Sequence, residues 1–163
     1  MKKSTSIIQL KRRREKKTNY KKRLALLKSE KTRLVIRKRL SNISVQFINF
    51  DSKGDQTIAS AFSTELKKLG WVKRGNIPAA YLTGLLAGKR AKEKKIEEAI
   101  LDLGLQTSTK GSRLYAALKG VLDSGVNIPH SESILPNDDR IKGKHISEEI
   151  AKQFDDVKKK IEG

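Results

Sequence analysis

Between residues 32 and 61 apolar and polar positions alternate in three short runs, the period of half-buried β-strands. In residues 32–40, Val35 and Ile36 sit among Arg33, Arg37 and Arg39, which alternate against Leu34, Lys38 and Leu40. After the turn residues Ser41-Asn42, the run 43–50 sets Ile43, Val45 and Phe47 against Ser44, Gln46 and Ile48. Asp51-Ser52-Lys53-Gly54-Asp55 reads as a second turn, because glycine tolerates positive φ and aspartate side chains satisfy nearby backbone groups. Residues 56–61 then complete an antiparallel meander. In front of it, Leu24, Leu26 and Leu27 set among Lys21, Lys22, Arg23 and Lys28 predict a short basic helix over 19–30, its leucines docking on the body.

Beyond residue 61 the period lengthens. Phe62, Leu66 and Leu69 are spaced for a helix that Ser63 or Thr64 caps and Gly70 stops. Asn76-Ile77-Pro78 opens a second helix, with Ala79, Ala80, Leu82, Leu85, Leu86, Ala87 and Ala91 as a closely packing face and Lys92 to Lys95 as a solvated tail. The apolar run 98–105 predicts a central parallel strand, and Leu114, Ala117, Leu118, Val121 and Leu122 predict a helix over 112–123. Residues 125–134, broken by Pro129, read as a loop or short edge strand, and 146–161 as an amphipathic helix rich in Glu and Lys. The fold class is therefore α/β: a mixed sheet, an antiparallel three-strand meander plus a parallel strand, packed with helices. Its expected parts are a basic arm over residues 1–23, an α/β body over 24–134, and a C-terminal extension over 135–163.

Charge changes this picture at one end. Seventeen of the first forty residues are Lys or Arg and two, Glu15 and Glu30, are acidic, so this stretch carries +15 of the chain's +19. Like charges repel and little apolar area is present, so the block is expected not to fold on itself and to need a polyanion. Lys11-Arg12-Arg13-Arg14-Glu15-Lys16-Lys17-Thr18-Asn19-Tyr20-Lys21-Lys22-Arg23 mixes guanidinium groups, hydroxyls, an amide and an aromatic ring, a set suited to phosphates and exposed bases. A membrane surface calls for large apolar residues opposite the basic face, and residues 11–23 have none. A targeting tag or solubilising tail is the plainer alternative. The absence of cysteine excludes disulfides, zinc knuckles and thiol catalysis. No apolar run reaches the roughly 18 residues of a membrane span, and Met1-Lys2-Lys3-Ser4 lacks a secretion signal's apolar stretch, so a soluble, intracellular protein is expected.

Candidate chemistry is sparse. Asp51, Asp55 and Asp102 admit a metal-dependent nuclease, since converging carboxylates can hold the ions of phosphoryl displacement. The simpler reading is local turn hydrogen bonding at Asp51 and Asp55, with Asp102 lacking a motif partner. His130 and His145 lie in turn-like segments with no partner a helical turn away. Residues 107–113, with Lys110, Gly111, Ser112 and Arg113, bring hydroxyls and cations to a helix start, which suits either an anion or an ordinary capped helix. Arg33, Arg37 and Arg39 share a strand face, as a cationic track or a merely solvated surface. Trp71 is expected to pack on the core rather than stack on a base; Tyr20, with little apolar company, is placed to stack on RNA.

Taken together, these strings resemble a known family. Arg12-Arg13-Arg14-Glu15-Lys16-Lys17-Thr18-Asn19-Tyr20 is similar to the arm of the large-subunit ribosomal protein numbered eighteen in its archaeal and eukaryotic form, with Lys16 where that pattern has Gly. The basic strand Leu34 to Ile43 with its Asn42-Ile43, the helix Asn76 to Gly88 with its Leu82-Thr83-Gly84-Leu85-Leu86-Ala87-Gly88, the segment from Leu101 to Gly120, and Ile128-Pro129-His130 with Leu135-Pro136 follow in the same order. The resemblance implies a structural protein without active site, metal or cofactor, which binds 5S rRNA, helps attach it to large-subunit rRNA in the central protuberance, and neighbours the ribosomal protein numbered five. It also implies RNA contacts at Lys11, Arg12, Arg13, Arg14, Lys16, Thr18, Tyr20 and Arg23, and at Arg33, Arg37, Asn42, Lys110 and Arg113. A general RNA chaperone is the alternative within the binding class.

Overall fold

The computed structural model describes residues 8–73 and 75–163; the start of the basic arm, residues 1–7, and Arg74 lie outside the described residues. The arm contributes a single helical turn, α1 (Lys11–Arg14), and a two-turn helix, α2 (Tyr20–Leu27). Asn19 caps α2 by accepting a hydrogen bond from the Lys22 amide at 3.1 Å, which supplies one of the partners a helix start otherwise lacks. Residues 8–23 are thus more ordered than their charge suggests. Leu24 is 58% exposed while Leu26 and Leu27 are half-buried, so two of the three leucines dock as expected.

The meander follows as β1 (Arg33–Lys38), β2 (Ile43–Asn49) and β3 (Gln56–Phe62). The antiparallel register sets Leu34 opposite Phe47 and Ile36 opposite Val45, so period-two alternation puts all four on one buried face. A short 3-10 helix (Glu65–Leu69) takes the place of the helix expected over 62–69. Phe62 belongs to β3 and is 42% exposed, and Ser63 does not cap the turn but accepts from the Ile43 amide at 3.0 Å. Gly70, at φ 98°, ends this turn. Trp71 follows it fully inside the core, its indole N–H donating to the Lys73 carbonyl.

Helix α3 (Ile77–Glu93), capped by Asn76, crosses β2 and β3, and α4 (Arg113–Asp123) lies beside α3 and against β1. Between them runs β4 (Ile100–Asp102), parallel to β1. The sheet order is β3-β2-β1-β4, so the expected central strand is a three-residue edge strand. It is short because Gly104, at φ 61°, turns the chain away two residues after Asp102. Glu98 instead bridges Asn127 in a separate parallel pair, which brings Val126 and Ile128 into the core.

Glycine sets the spacing of α3 and α4. A Cβ at Gly84 would lie 2.0 Å from the Ala117 carbonyl oxygen, and one at Gly120 would lie 2.1 Å from that of Tyr81. Two short elements, a 3-10 turn (Glu132–Ile134) and α5 (Asp138–Lys142), lead to α6 (Glu148–Glu162). Phe154, Val157 and Ile161 of α6 are buried, with the Phe154 ring 5.4 Å from that of Tyr81 on α3. The C-terminal helix is packed on the body. Burial and the hydrogen bond from Tyr81 to Asp123, 2.6 Å long, push the phenol pKa above its ordinary value and hold it protonated beneath this helix.

Candidate nucleic-acid interface

One face of β1 carries Arg33, Val35 and Arg37, because alternate residues point the same way. Parallel register puts Asp102 of β4 beside Val35, midway between the two arginines. Arg33 Nη1 donates to Asp102 Oδ2 at 3.1 Å, and Arg37 donates through Nη1 to the Asp102 carbonyl at 2.7 Å and lies 3.4 Å from Oδ1 through Nη2. Arg33 Nη2 also reaches Asp55 Oδ2 at 2.7 Å. A guanidinium only 3% exposed is tolerable here because two carboxylates face it. Arg33 is therefore not part of an open cationic track or a solvated face; its charge is matched inside the molecule.

Asp55 also receives Arg23 of α2, with bonds of 2.8 and 2.9 Å to its two oxygens. Partial burial opposes ionisation of this carboxyl, yet the hydrogen bonds and charges of Arg23 and Arg33 outweigh it and hold the pKa below its ordinary value. The pair fixes the arm to the edge of the meander turn. Asp51 accepts from the Lys53 amide and from Gln56 Nε2, both at 3.1 Å, the local turn bonding anticipated for it. The carboxylates of the nuclease reading are thus bound to arginines or to their own turn. Among the described residues no three His, Asp or Glu side chains gather to hold a metal ion.

Between the arm and this sheet face lies a groove of about 510 Å³. Arg12, Lys17, Lys22 and Arg37 stand around it, and Leu26, Val35, Leu101 and Leu103 give it apolar walls. Arg12 Nε donates to Thr18 Oγ1 at 2.9 Å, which closes α1 back onto the following loop. Lys16 adopts φ 51° in that loop. Lys11, Arg12, Arg13, Arg14 and Lys16 are exposed, while Thr18, Tyr20 and Arg23 are half-buried.

The remaining candidates lie elsewhere. Asn42 is half-buried in the β1–β2 turn. Arg113, at the start of α4, donates to the Gly75 carbonyl at 2.6 Å and so ties that helix to the loop before α3. Lys110 is exposed, and Ser112 precedes α4 without a side-chain cap bond. The structure therefore brings Arg12, Thr18, Arg23, Arg33 and Arg37 together and leaves Asn42, Lys110 and Arg113 outside the groove. Lys17, Asn19, Lys22 and the leucines of the wall were not anticipated as site residues. Asn19 ahead of a basic helical run was the legible signal for the cap; the walls depend on pairing across some seventy positions. Among the described residues no helix is long and apolar enough to cross a membrane.

Exposed cations on a folded arm, beside a sheet face whose carboxylates are already matched by arginine, define an α/β protein that presents positive charge outward. A family model for ribosomal large subunit proteins 60S L5, and 50S L18, matches residues 6–99 and 91–131. The large ribosomal subunit protein uL18 of Korarchaeum cryptofilum is 61% identical over 141 residues, spanning 86% of this chain and 72% of the relative. That of Methanosphaera stadtmanae is 48% identical over 156 residues, spanning 95% and 81%. The chain belongs to this family of large-subunit ribosomal proteins, as the resemblance in the sequence indicated.

Proposed function

We propose that the chain is a structural component of the large ribosomal subunit that binds 5S rRNA and helps attach it to large-subunit rRNA in the central protuberance. The observation that carries this reading is the division of positive charge between the arm and the first strand. Arg23 and Arg33 are consumed by Asp55 and Asp102, whereas Lys11, Arg12, Arg13, Arg14 and Lys16 are exposed on a segment those pairs hold in place. Arm and body then act as one clamp, with phosphates meeting the exposed cations and releasing counterions. Thr18, Tyr20, Arg37, Asn42, Lys110 and Arg113 are secondary contacts, and Arg33 contributes by positioning the arm. Neighbouring large-subunit proteins, including the one numbered five, are the protein partners, and the assembled particle is cytoplasmic. No catalytic step, cofactor or metal belongs to this role.

Filter binding of a 5S rRNA transcript against an unrelated RNA of equal length tests the assignment. The 5S transcript is expected to bind more tightly at moderate salt. Equal affinities would favour a general RNA chaperone, and Mg²⁺-dependent cleavage that disappears in Asp102→Asn would favour a nuclease.

A further inference from the structure

We propose that the groove between the arm and the sheet receives one unstacked nucleotide of the bound RNA strand. This rests on the reading of the chain as an RNA-binding protein and names what its arm-side groove takes.

Three observations converge on a nucleotide. The volume, about 510 Å³, lies within the range of roughly 300–1,000 Å³ typical of sites that enclose a small ligand. Its walls are apolar where Leu26, Leu101 and Leu103 meet, and its mouth is cationic at Arg12, Lys22 and Arg37. An apolar wall beneath a cationic rim matches a flat base joined to a phosphate. The two carboxylates within it, Asp55 and Asp102, are held by Arg23, Arg33 and Arg37 and so do not repel that phosphate. The third observation concerns Arg33. It lines the groove at 2% exposure, and its Nε is buried without a hydrogen-bond partner among the described residues, although the rest of its guanidinium is paired. A donor left over in a buried arginine is costly unless an acceptor comes within reach.

A duplex offers this site only its phosphate ridges, because the deep groove of an A-form helix hides the base edges. A base turned out of a loop or bulge presents its face. Leu105, also lining the groove, is 50% exposed at the point where such a base arrives. Among the described residues no aromatic ring lines the groove, so the base is held by aliphatic walls and guanidinium planes rather than by an aromatic sandwich.

The test uses the full chain and an unmodified 5S rRNA transcript, joined by zero-length ultraviolet crosslinking and mapped by mass spectrometry on both components. The expected result is one dominant nucleotide joined to the peptide containing Leu101–Leu105 or to that containing Lys22–Leu26. Leu105→Glu sets a carboxylate at the mouth on an exposed position and should weaken binding by about tenfold, the scale of one base contact, and erase that crosslink. Val72→Glu makes the same charge change on a residue 76% exposed and away from the groove, and should bind like the parent. If the parent binds RNA but crosslinks only through α1 and Leu105→Glu binds equally well, the groove proposal falls and the RNA-binding reading stands. If the parent binds neither RNA, both fall. Protection of the groove by free AMP while the transcript crosslinks elsewhere overturns the RNA strand as source, and a dominant crosslink from the groove to another protein in assembled particles overturns the nucleotide itself.

Discussion

Arg33 contributes to the interior what its sequence neighbourhood suggests for the surface. It sits in a run of basic strand positions, and alternation alone places it on a track with Arg37 and Arg39. What reverses that expectation is Asp102, 69 positions away, brought alongside by the β1–β4 register. No local pattern encodes that partner. Asp102→Asn keeps the size of the side chain but removes one of the two charges facing a buried guanidinium. The expected loss of stability is about 3 kcal/mol, read from urea unfolding followed by the fluorescence of buried Trp71. The double variant Arg33→Met with Asp102→Leu should recover part of it, because no buried charge then lacks its counterpart. Asp55 adds a dependence on acid. Its folded pKa lies below the ordinary 3.8, so its contribution is present above that value and is lost as pH falls through the folded pKa. Limited proteolysis of the arm should be slow at neutral pH and accelerate below pH 3.8, and Asp55→Asn should remove that acid-dependent step.

At the scale of elements, the α3–α4 contact leaves no room for a side chain at Gly84 or Gly120. Gly84→Ala drives a methyl into the Ala117 backbone, which cannot rotate aside as a side chain can. It should destabilise the fold by about 2 kcal/mol, seen as a lower thermal midpoint. The helix itself was legible in its string of small and large apolar residues and its Asn76-Ile77-Pro78 opening, as was the meander in its period-two alternation. The two errors have a common origin. Residues 98–105 are apolar enough for a central strand, yet positive φ at Gly104 ends pairing early. Phe62, Leu66 and Leu69 fit a helical period, yet Phe62 is still engaged by the β2–β3 ladder through Ser44. Periodicity reports which residues are apolar; hydrogen-bond competition decides where an element stops.

Across the whole molecule, the candidate site was legible only in part. The block of cations announced an arm and its polyanion, but not the groove, which exists because α2 is held over the sheet by the Arg23–Asp55 pair. Removing residues 1–23 should leave the body folded, since its core lies between the sheet and the helices α3, α4 and α6, while weakening RNA binding. The triple variant of Arg12, Arg13 and Arg14 to alanine should lower the slope of log affinity against log salt by about 2 to 3, because each phosphate contact contributes roughly 0.7 to 0.9. Filter binding over a salt series measures both. If the slope is unchanged, α1 does not face phosphate.

The long sequence separation between Arg33 and Asp102 also sets a timetable. The cation is synthesised first and its carboxylate follows 69 residues later. At roughly 5 to 20 residues per second, this leaves the basic strand without that partner for about 3 to 14 s on the nascent chain. For that interval the growing polypeptide carries its densest positive charge while the edge strand that brings Asp102 to β1 is still to be made. During it Asp55, 22 residues on, is the carboxylate already made that can face Arg33.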